Sequence, residues 1–360
     1  MFTQTHYPQS ILPEELDEYL SKGWFRMGQM IFTCHFICLQ GALYSPIWMR
    51  MPLADYTFRK RQRKNMRQVE SLFRIEIRPA EINQEKEELY TFHKNRFSGF
   101  ISETLVESLL EFPDKNIYQT YEVVIYDDEK LIAASFFDLG DNSAASILGM
   151  FHPDYAKYSL GFYTMLAEVK YAQELGLEYY YPGYVVHQYP KFDYKLRVGE
   201  MDYFDLESQK WLPYKNLDVN KLPAVALQNR LEKMQKLLNT FNIDNHRLLY
   251  PLHDKIAGHE HQNAFMITPM FIACHYHYLN EQVIVIEYDL VIEAYRLSIY
   301  RRVDDLLFFF PFLIEDSYDF DNTYFEYLLR EYTIVESDLP EMILYALENV
   351  KPRLEGRINA

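Results

Sequence analysis

Between residues 118 and 153, apolar and polar positions alternate in three runs. The breaks fall at 127–130 and 140–143, both rich in turn formers. This pattern predicts three strands of an antiparallel meander. After a short loop, 154–161, apolar residues recur at Phe162, Met165, Leu166, Val169 and Ala172. That spacing of three and four predicts an amphipathic helix, with Gly176 supplying a left-handed end. The chain returns as an aromatic strand over 178–186 and ends in a cluster of His, Tyr and Lys. A strand reached through a crossover helix must pair parallel to a neighbour. The β-loop-α-β unit thereby gathers polar groups at one end.

Elsewhere the pattern predicts a helix at 13–22, strand-like segments at 24–41, a strand pair at 45–58 and a strand at 71–79. Helices are expected at 80–97 and 103–112, then one or two strands within 201–214. Beyond these come a strong amphipathic helix at 222–242, strands within 265–301 and helices over 324–350. The expected class is α+β. Three regions are expected: a small, mostly β N-terminal module (1–80), a central domain (81–220) and an acidic α+β C-terminal region (221–360). No internal repeat is present.

Composition changes the picture in three ways. With 31 Tyr and 25 Phe among 360 residues, cores and grooves should be aromatic. Three cysteines cannot build a disulfide framework, which suits a reducing compartment. No signal-peptide pattern opens the sequence, and the longest apolar run, 306–314, is too short to span a bilayer. The expectation is a cytoplasmic protein without membrane association. The net charge of −16 argues against nucleic acid for the chain as a whole. Its distribution does not: acids exceed bases by 11 in residues 251–360 and by only 5 in the first 250. The run 59–67 carries six cations, Arg59, Lys60, Arg61, Arg63, Lys64 and Arg67. Screening confines each charge to about 10 Å, so a local basic face can bind phosphates on an acidic chain.

The residues from Ser146 to Lys195 resemble the C-terminal domain of arginyl-tRNA–protein transferases and their bacterial leucyl relatives. The resemblance is carried by Ser146, Phe151, Pro153, Tyr155, Ser159-Leu160-Gly161 and Tyr163 before the helix. After it come Tyr180-Tyr181, Gly183-Tyr184, Pro190-Lys191-Phe192, Tyr194-Lys195, and Trp211-Leu212-Pro213. Asp138 and Asp154 also match family positions. A fainter likeness runs through Gly23, Arg26 and Gly28. The resemblance implies a GNAT-like acyltransferase core and transfer of Arg or Leu from tRNA to the α-amine of a protein or peptide. It also implies tRNA and an acidic protein N-terminus as partners. No cofactor is expected beyond aminoacyl-tRNA as co-substrate. The chain departs from the family in its N-terminal module, where paired cysteines bind a metal or cluster. Here only Cys34 and Cys38 occur, spaced by three, too few for a tetrahedral site. Residues 1–80 thus resemble a degenerate cysteine-cluster domain, and no metal is expected. The eukaryotic pattern has Cys where this chain has Tyr189.

An aminoacyl ester is already activated, so positioning and pre-aligned donors can supply most of the catalysis. The backbone at Ser159, Leu160 and Gly161 faces the donor in a GNAT geometry, with Gly161 as the hinge. This loop lacks the glycine-rich pattern of acetyl-CoA enzymes. His187, Tyr194 and Lys195 are the catalytic candidates. His187 either takes a proton from the incoming ammonium or only hydrogen-bonds a carbonyl. Tyr184, Tyr189 and Tyr194 are candidates for holding the adenosine or the aminoacyl side chain by stacking; Tyr163 and Tyr180 are further substrate-binding candidates, while Tyr179 and Tyr181 read as core. Lys191 and Arg197 form, with Lys195, either a cationic rim for phosphate or an acidic residue, or an ordinary solvated surface. Asp154 reads as the cap of the following turn. His259, His261, His275 and His277, beside Cys274, are either surface histidines or a metal site. Two other functions remain open on this sequence: an acyl-CoA-dependent N-acyltransferase, and a non-catalytic binding protein.

Overall fold

The computed structural model describes residues 3–95, 102–110, 115–254, 264–274, 282–303 and 318–358, with side chains described to residue 349. The apolar run 306–314 and His259, His261, His275 and His277 lie outside the described residues. Two compact units result. One comprises 5–33 and 46–217; the other comprises 1–4, 34–45 and 218–360.

The first unit is built on an eight-stranded sheet. Its order is Lys210–Pro213, Asp202–Asp205, Pro46–Pro52, Tyr179–Val186, Ser143–Phe151, Lys130–Leu139, Thr120–Asp127 and Arg74–Pro79. The three-strand meander is present, with its turns where the sequence places them. The aromatic strand pairs parallel to Ser143–Phe151, as a crossover helix requires. Among the described residues all other pairings in this sheet are antiparallel. Segment 45–58 holds one strand rather than two. Its strand, Pro46–Pro52, is sandwiched between neighbours and buried on both faces, so continuous apolarity reflects a central position rather than a hairpin. Strands from 46–52 and 74–79 join the same sheet as those of 120–186, while 1–4 and 34–45 fall in the other unit, so residues 1–80 do not form one module.

Helices cover both faces. Gln84–Lys94 and Leu105–Leu109 pack through Leu89, Tyr90, Leu105 and Leu109 onto Val124, Phe136 and Met150. The crossover helix, Leu160–Glu174, lies on the other face and ends before Gly176, whose φ is +75°. It is buried continuously from Tyr163 to Val169 rather than along one stripe. The basic run forms a separate helix, Lys60–Leu72, turning Gln62, Met66 and Val69 inward.

Two residues of the sequence resemblance meet in the core. Arg26 Nη1 lies 2.7 Å from Asp138 Oδ1, with both side chains buried, and the guanidinium stacks on Tyr118 at 4.3 Å. Arg26 Nε also donates to the Gly28 carbonyl at 2.7 Å. Asp138 is therefore structural. Arg26→Ala should strand a buried carboxylate and cost about 3–5 kcal/mol in urea unfolding; an unchanged midpoint would refute this role.

The second unit has a five-stranded antiparallel sheet, in the order Asn245–Leu249, Met270–Cys274, Gln282–Asp289, Ala294–Val303, Tyr327–Ser337. Helices Pro223–Thr240 and Pro340–Ile358 accompany it. Residues 327–337 were expected to be helical. Their pairing with Ala294–Val303, aided by the β-branched run Thr333, Ile334 and Val335, overrides the helix-like spacing of the leucines. Cys274 is buried in this sheet, Cys34 is buried and Cys38 half-buried, all as free thiols.

Candidate active site

The parallel pairing between Ser143–Phe151 and Tyr179–Val186 lasts three residues, ending at Ala145 opposite Tyr181. Beyond this point no further pair joins the two strands, and each keeps its ladder on its other side. The result is a splay in the sheet, widening toward Phe151 and Val186. The crossover helix runs antiparallel to these strands, so its N-terminus lies at the wide end.

That N-terminus begins at Ser159, whose φ and ψ are 55° and 46°. Ser159 itself is the left-handed residue of this turn. Gly161 faces the Phe151 ring, whose nearest atom lies 3.4 Å from where a Cβ would stand, an ordinary contact distance. Ser159 gives the helix no side-chain cap, and the first turn holds no acid. The amides of Leu160 and Gly161 and the positive end of the dipole are thus available to an acceptor. Leu160 itself is fully buried, so only its backbone can serve a ligand.

Pro190–Arg197 forms a run of 3₁₀ turns next to this entrance, and Arg197 Cζ stands 4.6 Å over the Phe162 ring. Lys195 is half-buried. Its Nζ donates to the Tyr184 carbonyl at 3.0 Å and sits over the Tyr184 and Phe192 rings. Gly183, at φ +86°, makes room for it: a Cβ there would lie 3.2 Å from Nζ. Among the described residues no carboxylate pairs with Lys195, and burial lowers it to about 8. Tyr184 also packs edge-on against Trp48. Tyr189 is buried beside Phe192, and Lys191 Nζ lies 5.8 Å from its ring centroid. Tyr194 is 40% exposed, yet burial of its hydroxyl end and the nearby Glu168 push it up to about 12.

Sequence reasoning passed over Glu168. It is fully buried on the crossover helix, and Tyr180 Oη donates to its Oε2 at 2.7 Å. Its other oxygen has no hydrogen-bond partner. Burial pushes its pKa up to about 7, partly offset by the nearby hydroxyls of Ser135, Tyr180 and Ser146. Helical spacing puts Gly161, Thr164 and Glu168 on one face; that alignment was the available signal. Tyr163 falls on the opposite face. It points to Glu70, 3.5 Å away, and lines a cavity of about 230 Å³ with Ile75, Ile77 and Lys170. Tyr163 is therefore separated from the splay. His187 is half-buried in the turn after the aromatic strand, with no hydrogen bond or ion pair among the described residues. Asp154 does not cap its turn; His152 Nδ1 does, accepting from the Asp154 amide at 3.3 Å.

Arg59, Lys60, Arg61, Arg63, Lys64 and Arg67 are all exposed, and none has a carboxylate partner among the described residues. Their helix is fastened to the site by uncharged side chains. Gln62 Nε2 donates to the carbonyls of Val198 at 2.7 Å and Arg197 at 3.0 Å. Asn65 Nδ2 donates to the Tyr158 carbonyl at 3.0 Å. One helix thus holds both the 3₁₀ segment and the turn before Ser159.

Comparison with known proteins bears on the same part of the chain. Residues 80–205 match the model of the arginine-tRNA-protein transferase C terminus. This segment, about a third of the chain, is thus similar to the C-terminal part of the arginine-tRNA–protein transferases. Similar relatives are aspartate/glutamate leucyltransferases. That of Leptospira interrogans is 27% identical over 194 residues, 52% of this chain and 74% of the relative. That of Acinetobacter baumannii is 27% identical over 191 residues, 52% and 68%. That of Vibrio cholerae is 26% identical over 207 residues, 57% and 85%. Among solved structures, the C-terminal domain of a putative lysylphosphatidylglycerol synthetase from Agrobacterium fabrum matches at 14% identity and TM-score 0.31, covering 39% of this chain and 46% of that one. The Bacillus licheniformis L-PGS matches at 14% identity and TM-score 0.30, covering 50% and 52%. The chain spans about half the length of these two solved chains. Among the described residues no helix is long and apolar enough to cross a membrane.

Proposed function

We propose that the chain transfers an amino acid, Arg or Leu, from tRNA to the N-terminal α-amine of a protein or peptide on a GNAT-like core. The observation that carries this reading is the splay, with uncapped helix amides on one wall and the lowered Lys195 on the other. The aminoacyl ester enters at the wide end, its carbonyl oxygen against the Leu160 and Gly161 amides, which stabilise the oxyanion. The acceptor nitrogen attacks the carbonyl carbon. Neutral Lys195 takes the proton the nitrogen loses and passes it to the departing ribose oxygen, so a C–N bond replaces a C–O bond and free tRNA leaves. A base with a pKa near that of an α-amine, about 8, is well matched to this transfer. The basic helix receives the phosphates of the acceptor arm, Tyr184 and Tyr189 stack with the terminal adenosine, and Lys191 and Arg197 meet an acidic first residue of the acceptor.

Incubation with labelled aminoacyl-tRNAs and peptides of varied first residue tests the reading. The expected result is label in peptides that begin with an acid, from one class of tRNA. Label from acyl-CoA but from no aminoacyl-tRNA would overturn it.

A further inference from the structure

We propose that Gln62 and Asn65 are positioning residues for the transfer, and that the Lys60–Leu72 helix is a strut fixing the width of the cleft. This rests on the transferase reading and names what holds its two walls at their spacing. One wall is the 3₁₀ segment Pro190–Arg197, which carries Lys195; the other is the start of the crossover helix. Gln62 and Asn65 are three residues apart, so they share one side of the strut, about 4.5 Å apart along its axis. Gln62 holds the end of the first wall by two successive carbonyls, those of Arg197 and Val198. Asn65 holds the carbonyl of Tyr158, next to Ser159. The six cations are exposed on this same helix, so donor capture and cleft width belong to one rigid element.

Gln62 is 3% exposed. Its Oε1 accepts from the Arg59 amide at 2.6 Å, which locks the side chain against the start of its own helix. The Val198 carbonyl also accepts from Tyr56 Oη at 2.7 Å, and a Cβ at Gly199 would collide with Met51 Sδ. The chain leaving the 3₁₀ segment therefore has no slack. Asn65 is a poorer stabiliser, since its Oδ1 is buried without a partner among the described residues. An unmatched buried oxygen is unfavourable, so the bond to Tyr158 is what this residue contributes. At the mouth the walls meet through the Arg197 guanidinium over the Phe162 ring. An exposed cation over a ring is a weak tie, so the spacing is set chiefly through the helix. A misplacement of about 1 Å between reacting groups lowers a rate by about a hundredfold.

Gln62→Met and Asn65→Leu remove the amides and nearly keep the volumes. Each should lower kcat by about 10- to 100-fold, with the KM for donor tRNA within about twofold of wild type, because the six cations are untouched. A strut cut at either end no longer spans, so the double variant should fall within about threefold of the worse single one. Losses that multiply in the double variant, as two separate packing defects would give, overturn the proposal. So does a raised donor KM with kcat unchanged. A second measurement needs no turnover. Nitroxides on Ala156→Cys and Asp193→Cys, both exposed positions, report the distance between the walls once Cys38→Ser has removed the half-buried native thiol. Wild type should give one narrow distribution and each variant a broad one; narrow distributions in both variants overturn the strut. If the distributions broaden while wild type transfers nothing from any aminoacyl-tRNA, the transferase reading fails and the strut stands. If transfer proceeds and both variants keep the wild-type kcat, the strut fails and the transferase reading stands.

Discussion

Lys195→Met is expected to lower aminoacyl transfer by about a hundred- to a thousandfold, the span of a lost general base. The wild-type rate should climb as pH rises through about 8, where Lys195 sheds its proton, and the variant should lose that limb. The substitution should move stability the opposite way from activity, upward. The folded pKa lies below the ordinary lysine value, so as pH rises the native state releases the proton before the unfolded chain does. The destabilisation from burying the charge is therefore complete below about pH 8. It fades as pH approaches the unfolded value, about 10.4. Lys195→Met should unfold at higher urea than wild type at pH 7. A variant that is both slower and less stable would point to a packing role and remove Lys195 from the chemistry.

Changing all six cations of Arg59–Arg67 to glutamine is expected to raise the KM for donor tRNA by about a hundredfold at moderate salt. The dependence of affinity on salt should become shallower, while kcat stays near wild type, since none of the six holds the cleft together. Equal tRNA affinity in wild type and variant would show that the acceptor arm lies elsewhere.

Much of this was legible because the signals were local. Turn formers fixed the meander, Gly176 fixed the helix end, and a crossover helix dictated the parallel pair. Longer-range pairing decided what the sequence misjudged. The strand Pro46–Pro52 enters the sheet between neighbours distant in sequence, and Tyr327–Ser337 is a strand because Ala294–Val303 lies beside it. Within the site, the resemblance led to Tyr163, which the helix turns away from the splay. Glu168 was overlooked as one acid on an apolar helix. Only its burial, and the oxygen it leaves unmatched, set it apart. Gln62 was hidden among cations; its spacing with Met66 and Val69 marks it as the inward side of that helix.

The fastening of the basic helix divides two responsibilities. Salt screens cations, but it has little hold on amide-to-carbonyl bonds such as those from Gln62 and Asn65. Raising ionic strength should therefore thin out captured donors without loosening the machinery that processes them. On the proposed function, spent RNA would be released by weakening the grip on its phosphates alone, keeping the cleft in working shape for the next encounter.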